Sequence, residues 1–170
     1  AAYVLHHLAT EGHYAFLIEF GEHAFLGSSP ERLSRRTGLR LQTEMLAGTV
    51  RARSADDAMQ LLESGKDRHE HDVVVRSVSE RLQPVASGAK SEDQVAVVPA
   101  AGGLWHLRRR LELTLNEAID DAGILGLLHP TPAVCGRPTD NARSFLASHE
   151  GFDRGLYAGP IGIFDGSGHD

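Results

Sequence analysis

The hydrophobic period of this chain first changes near Ser54, from two residues to between three and four. Before that point strand-like runs come in pairs around glycine turns. Residues 14–20 and 23–27 flank Gly21-Glu22, and residues 32–36 and 39–46 flank Thr37-Gly38, with Leu39, Leu41 and Thr43 alternating. Gly48 interrupts the second pair. From Ser54, a capping residue, Asp56 and Asp57 suit the first turn of a helix, Ala58, Leu61 and Leu62 supply its apolar face, and Gly65 can end it. A second helix is predicted over 66–83, stopping at Pro84, with Val74, Val75, Val78 and Leu82 in one stripe. Beyond it, 88–93 reads as a polar loop, 95–99 and 104–113 as strands, 114–128 as a helix, 139–148 as a short helix and 156–164 as a last strand. Hairpins followed by blocks of helix argue against a doubly wound parallel sheet. They predict an α+β fold, antiparallel sheet with helices packed outside.

Composition narrows the function. The 170 residues make one domain with enough length for a core. Lysine and arginine number 17 against 23 acidic residues, a net charge of −6, so the chain lacks the basic face that a nucleic-acid backbone requires. Apolar runs such as Ile124–Leu128 fall far short of the roughly 20 residues of a membrane span. The single cysteine, Cys135, excludes an internal disulfide framework and is expected to be a small buried hydrophobe. Together these predict a soluble, cytoplasmic chain. It begins at Ala1 and closes on the turn-like Gly166-Ser167-Gly168 after a strand-like run, so both ends are expected to be cuts in a longer domain.

Few residues could carry chemistry. Glu70 lies four before Val74 and eight before Val78, at the head of the apolar stripe. A carboxylate there needs a pairing partner or a cation; the residues leave open whether Lys66 or Arg68 pairs it in solvent instead. Glu31 follows Pro30, whose fixed φ can aim the next side chain into a cleft, although a plain turn glutamate fits the spacing too. Gly48-Thr49 could offer backbone N–H groups and a hydroxyl to an anion. His69 and His71, two apart on a helix, are expected on its exposed side, and Arg108–Arg110 on a solvated strand face. Trp105 and His106 alternate, so one of them faces inward.

Six segments in collinear order then resemble one family, the chorismate-utilising enzymes, and within it the isochorismate synthases. They are Ser29-Pro30-Glu31, Leu46-Ala47-Gly48-Thr49, Lys66-Asp67-Arg68-His69-Glu70-His71, Leu104-Trp105-His106-Leu107, the run from Leu128 to Val134, and the run from Phe152 to Gly159. The resemblance implies a chorismate-binding fold of layered antiparallel sheets. It also implies that a hydroxyl moves between ring carbons of chorismate, with Mg²⁺ as cofactor. On the matching positions, Glu31 becomes the general acid and Glu70 a metal ligand. Gly48 and Thr49 meet a substrate carboxylate, and His106 and Ala133 line the substrate.

Where anthranilate and aminodeoxychorismate synthases usually carry Pro-Ser-Gly-Thr, this chain reads Pro130-Thr131-Pro132-Ala133, which favours water over ammonia as nucleophile. The resemblance places the base lysine before residue 1, and a second metal glutamate and a substrate arginine after residue 170. The piece alone is therefore expected to be inactive. A salicylate-forming relative of the same fold and a non-catalytic chorismate-binding module remain as alternatives. The choice between siderophore and menaquinone supply, and the oligomeric state, stay open.

Overall fold

The computed structural model describes residues 13–116 and 119–164. The first hairpin pairs β1 (Tyr14–Phe20) with β2 (His23–Ser29) across Gly21-Glu22, with Gly21 at φ +59° as a two-residue turn of this kind requires. The second joins β3 (Arg35–Thr37) to β4 (Arg40–Arg51), and its turn is Gly38-Leu39, one residue later than the sequence suggests. Gly38, at φ +59°, is the residue that must enter the left-handed region.

β4 is the central strand. It pairs along its whole length with β7 (Leu104–Leu115), antiparallel, and the other edge of β7 is shared by β5 (Ala86–Ser91) and β6 (Ala96–Ala100). Between β4 and β5 come two helical turns, α1 (Ala55–Ala58) and α2 (Gln60–Glu63), then the long helix α3 (Gly65–Leu82) and a 3₁₀ turn at Gln83–Val85. After β7 follow α4 (Asp121–Leu128), the short α5 (Pro132–Cys135) and α6 (Thr139–His149). Helices lie over one face of the sheet, as an α+β fold predicts.

Caps explain where the helices start. Ser54 accepts from the Asp57 N–H at 3.2 Å, and Ser64, not Gly65 as a terminator, opens α3 by accepting from the Asp67 N–H at 3.2 Å. The apolar stripe of α3 packs Val74, Val78 and Leu82 onto Leu41 and Met45 of β4 and Leu111, Leu113 and Leu115 of β7, and Ile124 and Leu128 of α4 close the cluster. Each such side chain contributes about 1.5–3 kcal/mol by leaving water.

Four expectations fail. β7 runs on to Leu115, so the segment predicted as one helix over 114–128 is strand end, connection and an eight-residue helix capped by Asp120, which accepts from the Gly123 N–H at 2.7 Å. Leu113 and Leu115 keep the period of two that Leu107 and Leu111 begin, and the core rewards it. The polar stretch 88–93 is largely strand β5, an edge strand with little burial on either face and hence no alternation to see. Pro132–Cys135 forms a helical turn between the predicted helices, where the sequence reading places no element. Residues 156–164 form turns and coil, with no strand partner among the described residues, and Gly159, Pro160 and Gly162 break any ladder. No helix among the described residues is long and apolar enough to cross a membrane.

Candidate active site

The strand that should end at Gly48 instead bulges there. The register with β7 shifts between Ala47 and Thr49, and Gly48 sits buried at φ +76°. A Cβ at this position would lie 3.0 Å from the Asp67 Cβ, 3.3 Å from the Asp67 carbonyl oxygen and 3.4 Å from Leu107 Cδ1. The first turn of α3 therefore rests directly on the bulge, and glycine is needed for both backbone and space. The bulge also turns Thr49 toward β7, where its Oγ1 lies 2.9 Å from His106 Nδ1. The same nitrogen is 3.4 Å from the Gly48 carbonyl, which can only accept, so this contact assigns the proton to Nδ1. His106 is half-buried, and that burial lowers its pKa from the ordinary histidine value; the Gly48 carbonyl opposes the shift and neighbouring His13 adds to it. Neutral imidazole with Nδ1–H leaves Nε2 as an acceptor.

Glu31 is held beside the same strand. Its N–H donates to Ser29 Oγ at 3.2 Å, the next carbonyl, of Arg32, accepts from the Glu44 N–H at 3.1 Å, and the Leu33 carbonyl accepts from Thr43 Oγ1 at 2.7 Å. Arg32 also donates to the Tyr14 hydroxyl at 2.7 Å, which ties the first hairpin to this turn. One carboxyl oxygen of Glu31, Oε1, is buried with no hydrogen-bond partner among the described residues. Burial pushes the pKa of Glu31 up to about 7; a backbone hydrogen bond at Leu46 pulls it down, and the Glu44 charge pushes it further up. A carboxyl with this pKa is about half protonated near neutrality, which is what a general acid needs.

Glu44 was not legible as a site residue. Its carboxylate is 9% exposed and lies 2.9 Å from Arg110 Nε and 3.9 Å from Arg32 Nη1. The alternation of Leu41 and Thr43 places it on the opposite face from the core, the one sequence signal that could have singled it out. The expectation of a uniformly solvated Arg108–Arg110 run is corrected accordingly: Arg110 is exposed, Arg108 and Arg109 are half-buried, and Arg109 keeps the parity of Leu107 and Leu111 on the core side.

On α3, the structure chooses between two stripes one residue apart. His71, not Glu70, heads the buried row with Val74 and Val78: His71 is 1% exposed, while the Glu70 side chain is 50% exposed and pairs with Lys66 at 3.3 Å. The expectation of an exposed His71 is thus overturned, and the solvent-paired alternative for Glu70 is what the described residues show. Burial lowers the pKa of His71, with the nearby Arg109 charge acting the same way. Among the described residues no group of three or more His, Cys, Asp or Glu gathers to hold a metal ion. Glu70 still fits such an ion as one ligand: a reachable carboxylate, one turn beyond the residue that packs on Gly48, opposed only by a surface pair.

The structure therefore brings Gly48, Thr49 and His106 together, with the turn that carries Glu31 hydrogen-bonded to the same strand through Arg32 and Leu33. Ala133 is not brought to them; it is exposed on α5, beside the far end of α3. Cys135, expected to be buried, is half-buried.

The antiparallel sheet with helices over one face is the fold of the chorismate binding enzymes, and the chain belongs to that family, whose model matches residues 2–169. Among curated proteins it is 42% identical over 166 residues to the salicylate biosynthesis isochorismate synthase of Pseudomonas aeruginosa, an alignment covering 91% of this chain and 33% of that protein. It is 45% identical over 159 residues to the isochorismate synthase MenF of Escherichia coli, covering 88% of this chain and 35% of that one. The solved structure of DhbC from Bacillus anthracis superposes with a TM-score of 0.81 at 32% identity, covering 89% of this chain and 43% of that one. The chain spans about a third of the length of the curated relatives it matches.

Proposed function

We propose that the protein containing this chain is an isochorismate synthase, adding water to one ring carbon of chorismate and expelling the hydroxyl from another. The observation that carries the reading is Glu31: a half-buried carboxyl whose Oε1 is buried with no partner among the described residues, poised to be protonated, on a turn hydrogen-bonded to the strand that bears the Gly48 bulge. Hydroxide leaves poorly, so as the C–O bond breaks Glu31 gives it a proton and water departs. The attacking water passes a proton, as its oxygen bonds to carbon, to the base lysine that the family resemblance places before residue 1, and this balances the proton that Glu31 donates. His106 and Thr49 supply hydrogen-bonding atoms beside the bulge to orient the substrate. Relatives whose names state this activity, at 42% and 45% identity, support the assignment.

A dicarboxylate substrate on a chain of net charge −6 calls for a cation, and Mg²⁺, which takes one or two carboxylates plus substrate and water, suits a lone accessible Glu70. When bound, the ion would neutralise substrate charge. Glu70→Gln in the full-length protein is expected to raise the Mg²⁺ concentration for half-maximal turnover by about tenfold or more, as loss of a ligand does. Unchanged Mg²⁺ dependence would remove Glu70 from the metal site.

The direct test is to incubate the full-length protein with chorismate and Mg²⁺ and separate the products. Isochorismate with its enolpyruvyl group intact is the expected outcome. Fluorescent salicylate would assign the further pyruvate-losing reaction, and binding of chorismate without turnover would make the protein a binding module.

A further inference from the structure

One face of the sheet carries α3; the other carries the candidate site. β7 sends Leu107 and Leu111 toward α3 and alternates His106, Arg108 and Arg110 to the opposite side, where Thr49 meets His106 and Arg110 donates to Glu44 across the strands. Arg108 therefore stands in the middle of the site row. It lies two residues, about 7 Å, along β7 from His106, and in register with Leu46, one strand away on β4. The backbone at Leu46 is in turn the hydrogen-bond partner of the Glu31 carboxyl, and the turn that bears Glu31 runs along the other edge of β4, the one that β3 also uses.

The charge of Arg108 is unmatched. Arg110 is held by Glu44 at 2.9 Å and lies 3.9 Å from Glu92, and Arg32 lies 3.9 Å from Glu44. Arg108 has no carboxylate within pairing distance among the described residues; it is half-buried, and its Nε is buried without a hydrogen-bond partner. A desolvated, unbonded guanidinium N–H costs free energy, so an acceptor is expected for it in the working protein. Glu31 is not that acceptor, because its own Oε1 is buried and equally unpartnered. Pairing the two would also defeat the acid, since an arginine against its carboxyl keeps it ionised and removes the proton it has to give. Two unpaired groups of opposite kind thus flank Leu46. A ligand that serves both needs a hydroxyl to take a proton from the carboxyl and an anionic oxygen to accept from the guanidinium, which is the chemistry of a hydroxy acid.

We propose that Arg108 is a substrate-binding residue whose guanidinium holds one carboxylate of the substrate over Leu46, with the departing hydroxyl at Glu31 and the remainder beside Thr49 and His106. The inference rests on the proposed function above, which makes that substrate a hydroxylated dicarboxylate. A planar fork suits the task, because it can meet both oxygens of a carboxylate at once.

The test uses the full-length protein as wild type, Arg108→Gln and Arg108→Lys, with chorismate and its two monomethyl esters, each of which masks one carboxylate. A wild-type protein that fails to convert chorismate overturns the proposed function first, before any variant is compared. Arg108→Gln is expected to raise KM for chorismate about 10–100-fold, the worth of a charge-assisted hydrogen bond, with a smaller change in kcat. Inhibition constants of the esters then read whether the contact is direct. In wild type, masking the carboxylate that Arg108 holds should weaken binding by a similar factor, and in Arg108→Gln the same mask should cost little more. The other ester should lose the same factor in both proteins. Arg108→Lys keeps the charge without the fork, so its KM should fall between the two, and it carries the ester comparison if Arg108→Gln does not fold. An unchanged KM overturns the inference. A KM rise in which each ester loses the same factor in wild type and variant overturns it too, because a strand brace, or an arginine paired with an acid elsewhere in the protein, has no preference for one carboxylate of the substrate.

Discussion

Glu31→Gln in the full-length protein is expected to lower kcat for chorismate by about 10²–10⁴-fold, the worth of a positioned general acid, while making the fold more stable above pH 7. The amide keeps the size of the carboxyl and an oxygen to accept at Leu46, so the turn from Ser29 to Leu33 should stand. It has no proton to give a departing hydroxyl.

The stability effect follows from the same burial. The carboxyl ionises near 4.5 in the unfolded chain and near 7 in the folded one, because burial penalises the charge more than the hydrogen bond at Leu46 favours it, and Glu44 repels it besides. Between these values the folded state binds the extra proton, so wild-type stability falls as pH rises from about 4.5 through 7 and then levels. At about 1.4 kcal/mol per pH unit, the full term has an upper bound of about 3.5 kcal/mol. The glutamine variant lacks it. Denaturant melts of both proteins at pH 5 and pH 8 should therefore show a gap opening in favour of the variant at the higher pH. Wild-type turnover should also decline as pH rises through about 7, as the acid loses its proton. Retained activity in the variant would remove Glu31 from the chemistry, and a gap independent of pH would mean that its carboxyl is not buried in the folded protein.

What the sequence could and could not tell follows from where information is local. Gly21 and Ser54 act through their own backbone or the residues three away, and both appear as expected. The stripe Val74, Val78, Leu82 is a local periodicity, and it packs as read. The head of that stripe was misread because three-residue and four-residue spacings both approximate 3.6. Glu70 sits four before Val74 and His71 three before it, and only the sheet beneath decides which of them turns inward. β5 was invisible for a different reason: an edge strand exposed on both faces has no hydrophobic period at all, and only its hydrogen bonds to β7 define it. Glu31, Gly48, Thr49, His106, Ala133 and Glu70 were all named from collinear motifs, but motifs carry no distances. They did not reveal that Gly48 touches Asp67, that Glu44 lies buried between two arginines, or that Ala133 stands apart from the bulge.

Gly48 shows what such contacts are worth, because two independent costs meet there. A side chain at φ +76° costs about 1–2 kcal/mol by itself, and a Cβ placed 3.0 Å from the Asp67 Cβ and 3.3 Å from its carbonyl forces helix and strand apart, an overpacking cost of about 1–3 kcal/mol. Gly48→Ala in the full-length protein is therefore expected to destabilise by about 2–5 kcal/mol. The two costs can be separated within this molecule. Gly38 has φ +59°, and a Cβ there would meet nothing within 4 Å, so Gly38→Ala should bear the backbone cost alone. The difference between the two melts measures how firmly the first turn of α3 is seated on the bulge. The same displacement would draw Thr49 Oγ1 away from His106 Nδ1, so Gly48→Ala should weaken chorismate binding while Gly38→Ala leaves it unchanged. Equal melting losses for the two variants would show that α3 yields freely at this point, and the bulge would then be shaped by β7 and not by the helix above it.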